Sequence, residues 1–197
     1  MVAVLSGRWQ PPHNGHIWLV KQVLGRADEM VLGIVNPDPD NPSHPDFHKF
    51  HPADNPLTYW ERHALWSEIL LTEGVLARVS IVPMWHPRVS ILREENYLPP
   101  RRQRFWVVPI VNTEEWTKVY DFQNRGEEVR VIPEEEVPSD LIRNHAVSIR
   151  KMIANGDDGW KKLVPPCVVK HFDELNVMER FREESARALL RRKVRKL

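Results

Sequence analysis

His13 and His16 stand three positions apart with Gly15 between them, directly after Pro11 and Pro12. Imidazoles placed where an irregular stretch gives way to a helix can donate hydrogen bonds to oxygens that gain charge during phosphoryl or nucleotidyl transfer. The helix itself adds to this, because its unpaired N–H groups and the positive end of its dipole attract phosphate. Gly15 has no side chain to keep a triphosphate off the backbone, and Gly7 closes the preceding apolar run. The residues therefore describe a phosphate site. Two histidines at this spacing are equally at home as a surface pair or as part of a structural metal site, so the elements around them decide.

Upstream, residues 2 to 5 form an apolar run suited to a buried strand, ending in Ser6 and Gly7. Pro11 and Pro12 exclude helix until about Asn14, after which Ile17, Val20, Val23 and Leu24 recur on one helical face. With the apolar run Met30–Val35, strand, helix 16 to 24 and strand make a β-α-β unit, which requires a parallel sheet. Residues 36 to 56 are too rich in proline for regular structure, and a loop of that length in a compact domain is a functional one. Its His44, His48 and His51 fall in a proline-broken segment without a cysteine, so the loop is read as a lid over the site and no metal ligands are assigned. A helix follows over 58 to 71, opened by Thr58 with Glu61 three positions on, the spacing of a capping box. Further strands are expected at 77 to 82, 105 to 111 and Val129–Ile132, and helix from 147 onward. The segment 173 to 197 reads as a C-terminal helical extension with Leu175, Met178, Phe181, Ala186, Leu189 and Leu190 on its apolar positions and a basic end that complements its dipole. No internal repeat or composition shift divides the chain, so residues 1 to 197 are read as one domain.

A chain of 197 residues with 42% hydrophobic residues and a mean hydropathy of −0.47 has material for one real core. No apolar run approaches the ~20 residues that cross a bilayer, so no membrane partner is expected. Cys167 is the sole cysteine, which excludes an intramolecular disulfide and suits a reducing cytoplasm. The net charge of +1 gives no general case for a nucleic-acid partner.

Taken whole, Gly7-Arg8-Trp9-Gln10-Pro11-Pro12-His13-Asn14-Gly15-His16 resembles the signature of the HxGH nucleotidyltransferase superfamily. It is most similar to the archaeal-type nicotinamide mononucleotide (NMN) adenylyltransferases, which open G-R-F-Q-P-x-H-x-G-H. Gly7, Arg8, Gln10, Pro11, His13, Gly15 and His16 match, and Trp9 takes the place of phenylalanine. Asn55-Pro56-Leu57-Thr58-Tyr59-Trp60-Glu61-Arg62 resembles the family's N-P-F-T-x-x-E-R, and Ser43-His44 matches an S-H dipeptide ahead of it. Ser148-Ile149-Arg150 with the trailing Asn155-Gly156, Trp160 and Leu163-Val164-Pro165 resembles I-S-x-T-x-I-R followed by N-G-x-x-W-x-x-L-V-P.

The resemblance implies a doubly wound α/β domain with a parallel, Rossmann-like sheet and C-terminal helices, binding a nucleotide at the carboxyl ends of the strands. It implies an enzyme that moves a nucleoside monophosphate from a nucleoside triphosphate, carried with Mg²⁺, to a small anionic acceptor. His13, His16, Arg8 and Arg150 would hold the reacting phosphates. Gly7, Trp9, Gly15, Asn112, Thr113, His145 and Ser148 would bind the nucleotide, and Arg62, Trp85 and Arg88 the acceptor. Family members are commonly oligomeric, so a homo-oligomer is expected.

Two departures bear on substrate. Asn144, His145, Ala146 and Val147 stand where the family has isoleucine, serine, a small residue and threonine, leaving His145 and Ser148 as substitute donors or caps. Val82-Pro83-Met84-Trp85 stands where the archaeal enzymes have an I-P-D-type segment, and Arg88, Arg93, Arg101, Arg102 and Arg104 make the following stretch basic. That suits a strongly anionic acceptor as well as a nicotinamide nucleotide. The readings are an NMN adenylyltransferase, a cytidylyltransferase or other nucleotidyltransferase on a phosphorylated or phosphonate metabolite, and a non-catalytic nucleotide-binding protein.

Overall fold

The computed structural model describes residues 1 to 35, 55 to 84, 95 to 138, 146 to 175 and 177 to 181. Five strands, β1 (Val2–Gly7), β2 (Met30–Val35), β3 (Val79–Met84), β4 (Arg104–Pro109) and β5 (Val129–Ile132), form one sheet in the order β3-β2-β1-β4-β5. Every pairing is parallel, with Leu5 opposite Leu32 and Val4 opposite both Val31 and Trp106. The order reverses direction between β1 and β4, and the crevice outside the carboxyl ends there is where such sheets bind ligands.

The central strands β1, β2 and β4 are buried on both faces, as the interior of a parallel sheet requires, while the edge strands β3 and β5 are partly exposed. Ala3, Leu5, Leu32, Ile34, Phe105 and Val107 face a large core completed by α1 (Asn14–Leu24), α2 (Tyr59–Thr72), α4 (Ala146–Ala154) and α5 (Pro166–Glu174). Val4, Val31, Met84, Trp106 and Val108 face the other way, onto Val119 and Phe122 of α3 (Glu114–Asn124), with Trp106 stacked on Phe122 at 4.0 Å.

Helix α2 begins where the sequence places it: Thr58 Oγ1 accepts from the Glu61 N–H, and the Glu61 carboxylate accepts from the Thr58 N–H at 2.7 Å. Three expectations need correction. Helix α3 was not anticipated between β4 and β5, although two parallel neighbours require a crossover. Its sequence hides it, because Trp116 and Tyr120 are exposed and only a narrow stripe is buried. Strand β3 starts two residues later than expected, since Leu76–Arg78 forms a 3-10 turn pinned by the Arg78 guanidinium on the carbonyls of Asp28, Leu24 and Ala27. It runs through Pro83 because β3 is an edge strand. The C-terminal segment is not one continuous helix from 173: α5 ends at Glu174, Leu175 is exposed, and a further helical stretch over 177 to 181 buries Val177 and Phe181. The part beyond 181 and the lid reading of 44 to 51 lie outside the described residues. Among the described residues no helix is long and apolar enough to cross a membrane.

Candidate active site

The segment between β1 and α1 is held by side chains from distant parts of the chain. Gln10 is buried and its amide pairs both ways with one backbone unit, Nε2 donating to Leu57 O and Oε1 accepting from Leu57 N–H, each at 2.9 Å. Arg150 of α4 donates through Nη1 to Gln10 O at 2.7 Å. Arg62 of α2, at 0% exposure, donates to Arg8 O at 2.9 Å, Val35 O at 2.7 Å and Thr58 O at 3.2 Å. One guanidinium thus ties together the carboxyl ends of β1 and β2 and the start of α2. Burial pushes Arg62 down to about 10, the neighbouring Arg8 charge adding to this and Tyr59 and Glu61 opposing it. It remains a cation at neutral pH.

Trp9 enters this segment with φ of 54°, a left-handed conformation uncommon for a bulky residue and characteristic of functional turns. Its indole folds back over Gly7, where a Cβ would lie 2.7 Å from the ring, and donates Nε1–H to Gly33 O at 2.9 Å. Trp9 is therefore turned into the protein, with its ring buried.

His13 occupies the N-cap of α1 in extended conformation without a side-chain capping bond, while Asn14 N–H donates to Leu163 O at 3.0 Å. The imidazoles of His13 and His16 stack at 3.5 Å between centroids and 26° between planes, and His16 meets the Trp9 ring edge-on at 4.6 Å. The first turn of α1, Gly7 and Arg8 all lie at the carboxyl end of β1, next to the switch point. Asn112 and Thr113 follow β4 at the same end, Asn112 Oδ1 accepting from Glu115 N–H at 3.3 Å at the start of α3. The N-termini of α1 and α3 thus lie at the same end of the sheet, and Arg150 is bonded to the β1–α1 segment, an arrangement suited to a phosphate.

Of the remaining candidates, Gly15 lies in the first turn of α1, and Ser148 sits inside the first turn of α4. Trp85, Arg88 and His145 lie outside the described residues. Of the basic residues before β4, Arg101 and Arg104 have another task. Arg104, 1% exposed, is bound by Glu127 and Glu95, and Arg101 donates to Glu95 and to Arg125 O. Arg104 opens β4, so this network sits at the amino end of the sheet, away from the crevice. Met84, in the place of the family's aspartate, is buried on the second core with its sulfur over Gly33, where a Cβ would come within 2.1 Å of Sδ. Sequence reasoning missed the Gln10–Leu57 pairing and the Arg180–Glu61 ion pair at 2.6 Å, which brings the C-terminal stretch onto the α2 capping box. Neither has a local signal.

Fold and site together define a nucleotidyltransferase-type domain. The family model described as cytidylyltransferase-like matches residues 4–187, and the chain belongs to that family. It is 31% identical to the nicotinamide-nucleotide adenylyltransferase of Ignicoccus hospitalis over 95% of this chain and 99% of the relative. It is 30% identical to the phosphonoformate cytidylyltransferase of Streptomyces viridochromogenes over 91% of this chain and 94% of that one. Among solved structures, it superposes on a bifunctional NMN adenylyltransferase/ADP ribose pyrophosphatase of Francisella tularensis, complexed with AMP and a manganese ion, with a TM-score of 0.67 at 15% identity. The alignment covers 98% of this chain but only 55% of that protein. The nicotinic acid mononucleotide adenylyltransferase of Plasmodium falciparum gives 0.59 at 10% identity, covering 90% and 96%. These two show the shared fold.

Proposed function

We propose that this chain transfers a nucleoside monophosphate from a nucleoside triphosphate to a phosphate or phosphonate oxygen of a small anionic acceptor, with ATP and NMN as the first pair. The observation that carries this is the stacked His13–His16 pair at the N-terminus of α1, beside the switch point of the sheet. The acceptor oxygen attacks the α-phosphorus in line, so that one P–O bond forms as the bond to pyrophosphate breaks. No covalent enzyme intermediate is needed, and the rate comes from positioning and from donors fixed on developing charge. His13 and His16 supply imidazole donors, and Arg8 and Arg150 supply positive charge for the transferring group and pyrophosphate. Arg150 is brought to the same segment by its bond to Gln10 O.

Mg²⁺ enters with the triphosphate in this proposal. Among the described residues no three His, Cys, Asp or Glu side chains gather to hold a metal, whereas helix N-termini and arginines suit phosphate oxygens. When bound, the cation neutralises phosphate charge. The lone cysteine fits catalysis in a reducing cytoplasm.

A second reading, cytidylyl transfer to a phosphonate, is supported by the 30% identity to the phosphonoformate cytidylyltransferase over 91% of this chain. Pyrophosphate release, measured with Mg²⁺ for ATP, CTP, GTP and UTP against NMN, nicotinate mononucleotide and a panel of phosphates and phosphonates, tests both. Turnover with ATP and NMN is the expected result. Turnover only with CTP and a phosphonate replaces it with the second reading, and triphosphate binding without turnover on any acceptor overturns both in favour of a binding protein.

A further inference from the structure

We propose that Trp9 is the positioning residue for His16, its anchored indole fixing the plane of the imidazole at the mouth of α1. This rests on the nucleotidyl-transfer reading and adds to it a residue that acts without touching substrate.

The indole cannot shift easily. It lies over Gly7, closely enough that a methyl group there would stand 2.7 Å from the ring, and it meets Trp66 of α2 nearly at right angles at 5.2 Å. Its Nε1–H donates to Gly33 O at 2.9 Å, which ties the side chain to β2. A phenylalanine, the residue of the resembling family at this position, has no donor for that bond. Against this fixed ring His16 packs at 4.6 Å and 88°, while His13 covers another side at 3.5 Å and 26°. Rotation of the His16 ring about its Cβ–Cγ bond would break the edge contact with Trp9 and the stack on His13 together. The direction of both ring nitrogens is thus set from behind by a residue turned away from the crevice. A donor acting on transition-state charge depends on such alignment, and loss of alignment lowers turnover more than substrate affinity.

The test is a double-mutant cycle of Trp9→Leu and His16→Ala, assayed for kcat and triphosphate KM with the substrate pair the wild-type protein uses. Trp9→Leu is expected to lower kcat by about 10-fold with KM held within about 3-fold, and to change kcat by less than about 2-fold when His16 is already alanine. Losses that multiply, or a Trp9→Leu protein with wild-type kcat, overturn the proposal and leave the nucleotidyl-transfer reading standing. Wild-type kcat in His16→Ala overturns the catalytic role of His16 itself. A second measurement needs no variant to fold: a nuclear Overhauser contact between the Trp9 indole and His16 imidazole protons of the wild-type protein is expected, and its absence overturns the geometry even where no turnover is found.

Discussion

The Arg62 guanidinium donates to the carbonyl of Arg8, a residue 54 positions away, and through the same nitrogen to Val35 O. A buried cation spent on backbone carbonyls is an architectural choice: it closes the carboxyl ends of β1 and β2 around the start of α2 and so fixes the segment that carries His13 and His16. Lysine keeps the charge but cannot span three carbonyls with a planar fork. Arg62→Lys is therefore expected to cost about 2 to 3 kcal/mol, roughly 5 to 10 °C in Tm for a domain of this size, read by thermal melting at neutral pH. Turnover should fall with it, since the imidazole pair loses its support.

The network at the opposite end of the sheet predicts a pH dependence. The Arg104 guanidinium holds the Glu95 carboxyl below the usual carboxylate range, with Arg101 adding to it against the opposing effect of burial. A carboxylate with a depressed folded-state pKa contributes stability that is fully present above its unfolded value and is lost as pH falls through the folded one. Wild type should thus melt above Glu95→Gln at pH 7, and the gap should close as pH falls below about 4. An equal gap at pH 7 and pH 3 would assign the difference to packing and not to charge.

Much of this was legible where the signal is local. The capping box of α2 lies within four consecutive residues, and the β-α-β unit lies within the first 35. The fates of the arginines were not legible, because a guanidinium's partner is set by tertiary approach: Arg62 reaches across 54 and 27 positions, Arg150 across 140, and Arg104 finds acids 9 and 23 away. Read as a string, residues 88 to 104 are a basic patch; in the fold, Arg104 is sealed between carboxylates at the first position of β4. The same limit hid α3, whose buried side chains Val119 and Phe122 leave Trp116 and Tyr120 in solvent.

Met84 offers a direct test of whether the changed acceptor segment retunes specificity from this position. Its side chain is 1% exposed among Val4, Val31 and Trp106, on the opposite face of the sheet from α1. Met84→Asp would place a carboxylate in an apolar cluster without a partner, at an expected cost of about 3 kcal/mol or more. Chemical denaturation should show that loss, with no change in acceptor preference. A stable Met84→Asp protein with altered acceptor preference would mean that the residue faces the acceptor.

His16 carries the clearest separation of activity from stability. Its ring packs on His13 and against the Trp9 edge and is not a member of the core, so its removal forfeits two aromatic contacts and whatever it does to the reacting phosphates. Two aromatic pairs are worth about 2 kcal/mol, which bounds the expected change in Tm at roughly 8 °C. A donor aimed at developing charge is worth a factor on the order of 100 or more in turnover. His16→Ala should therefore melt within about 8 °C of wild type while kcat falls by about that factor, with triphosphate KM changed far less. If KM rises and kcat holds, His16 binds the ground-state triphosphate and the transition state alike, and the rate must come from Arg8, Arg150 and the cation that arrives with the substrate.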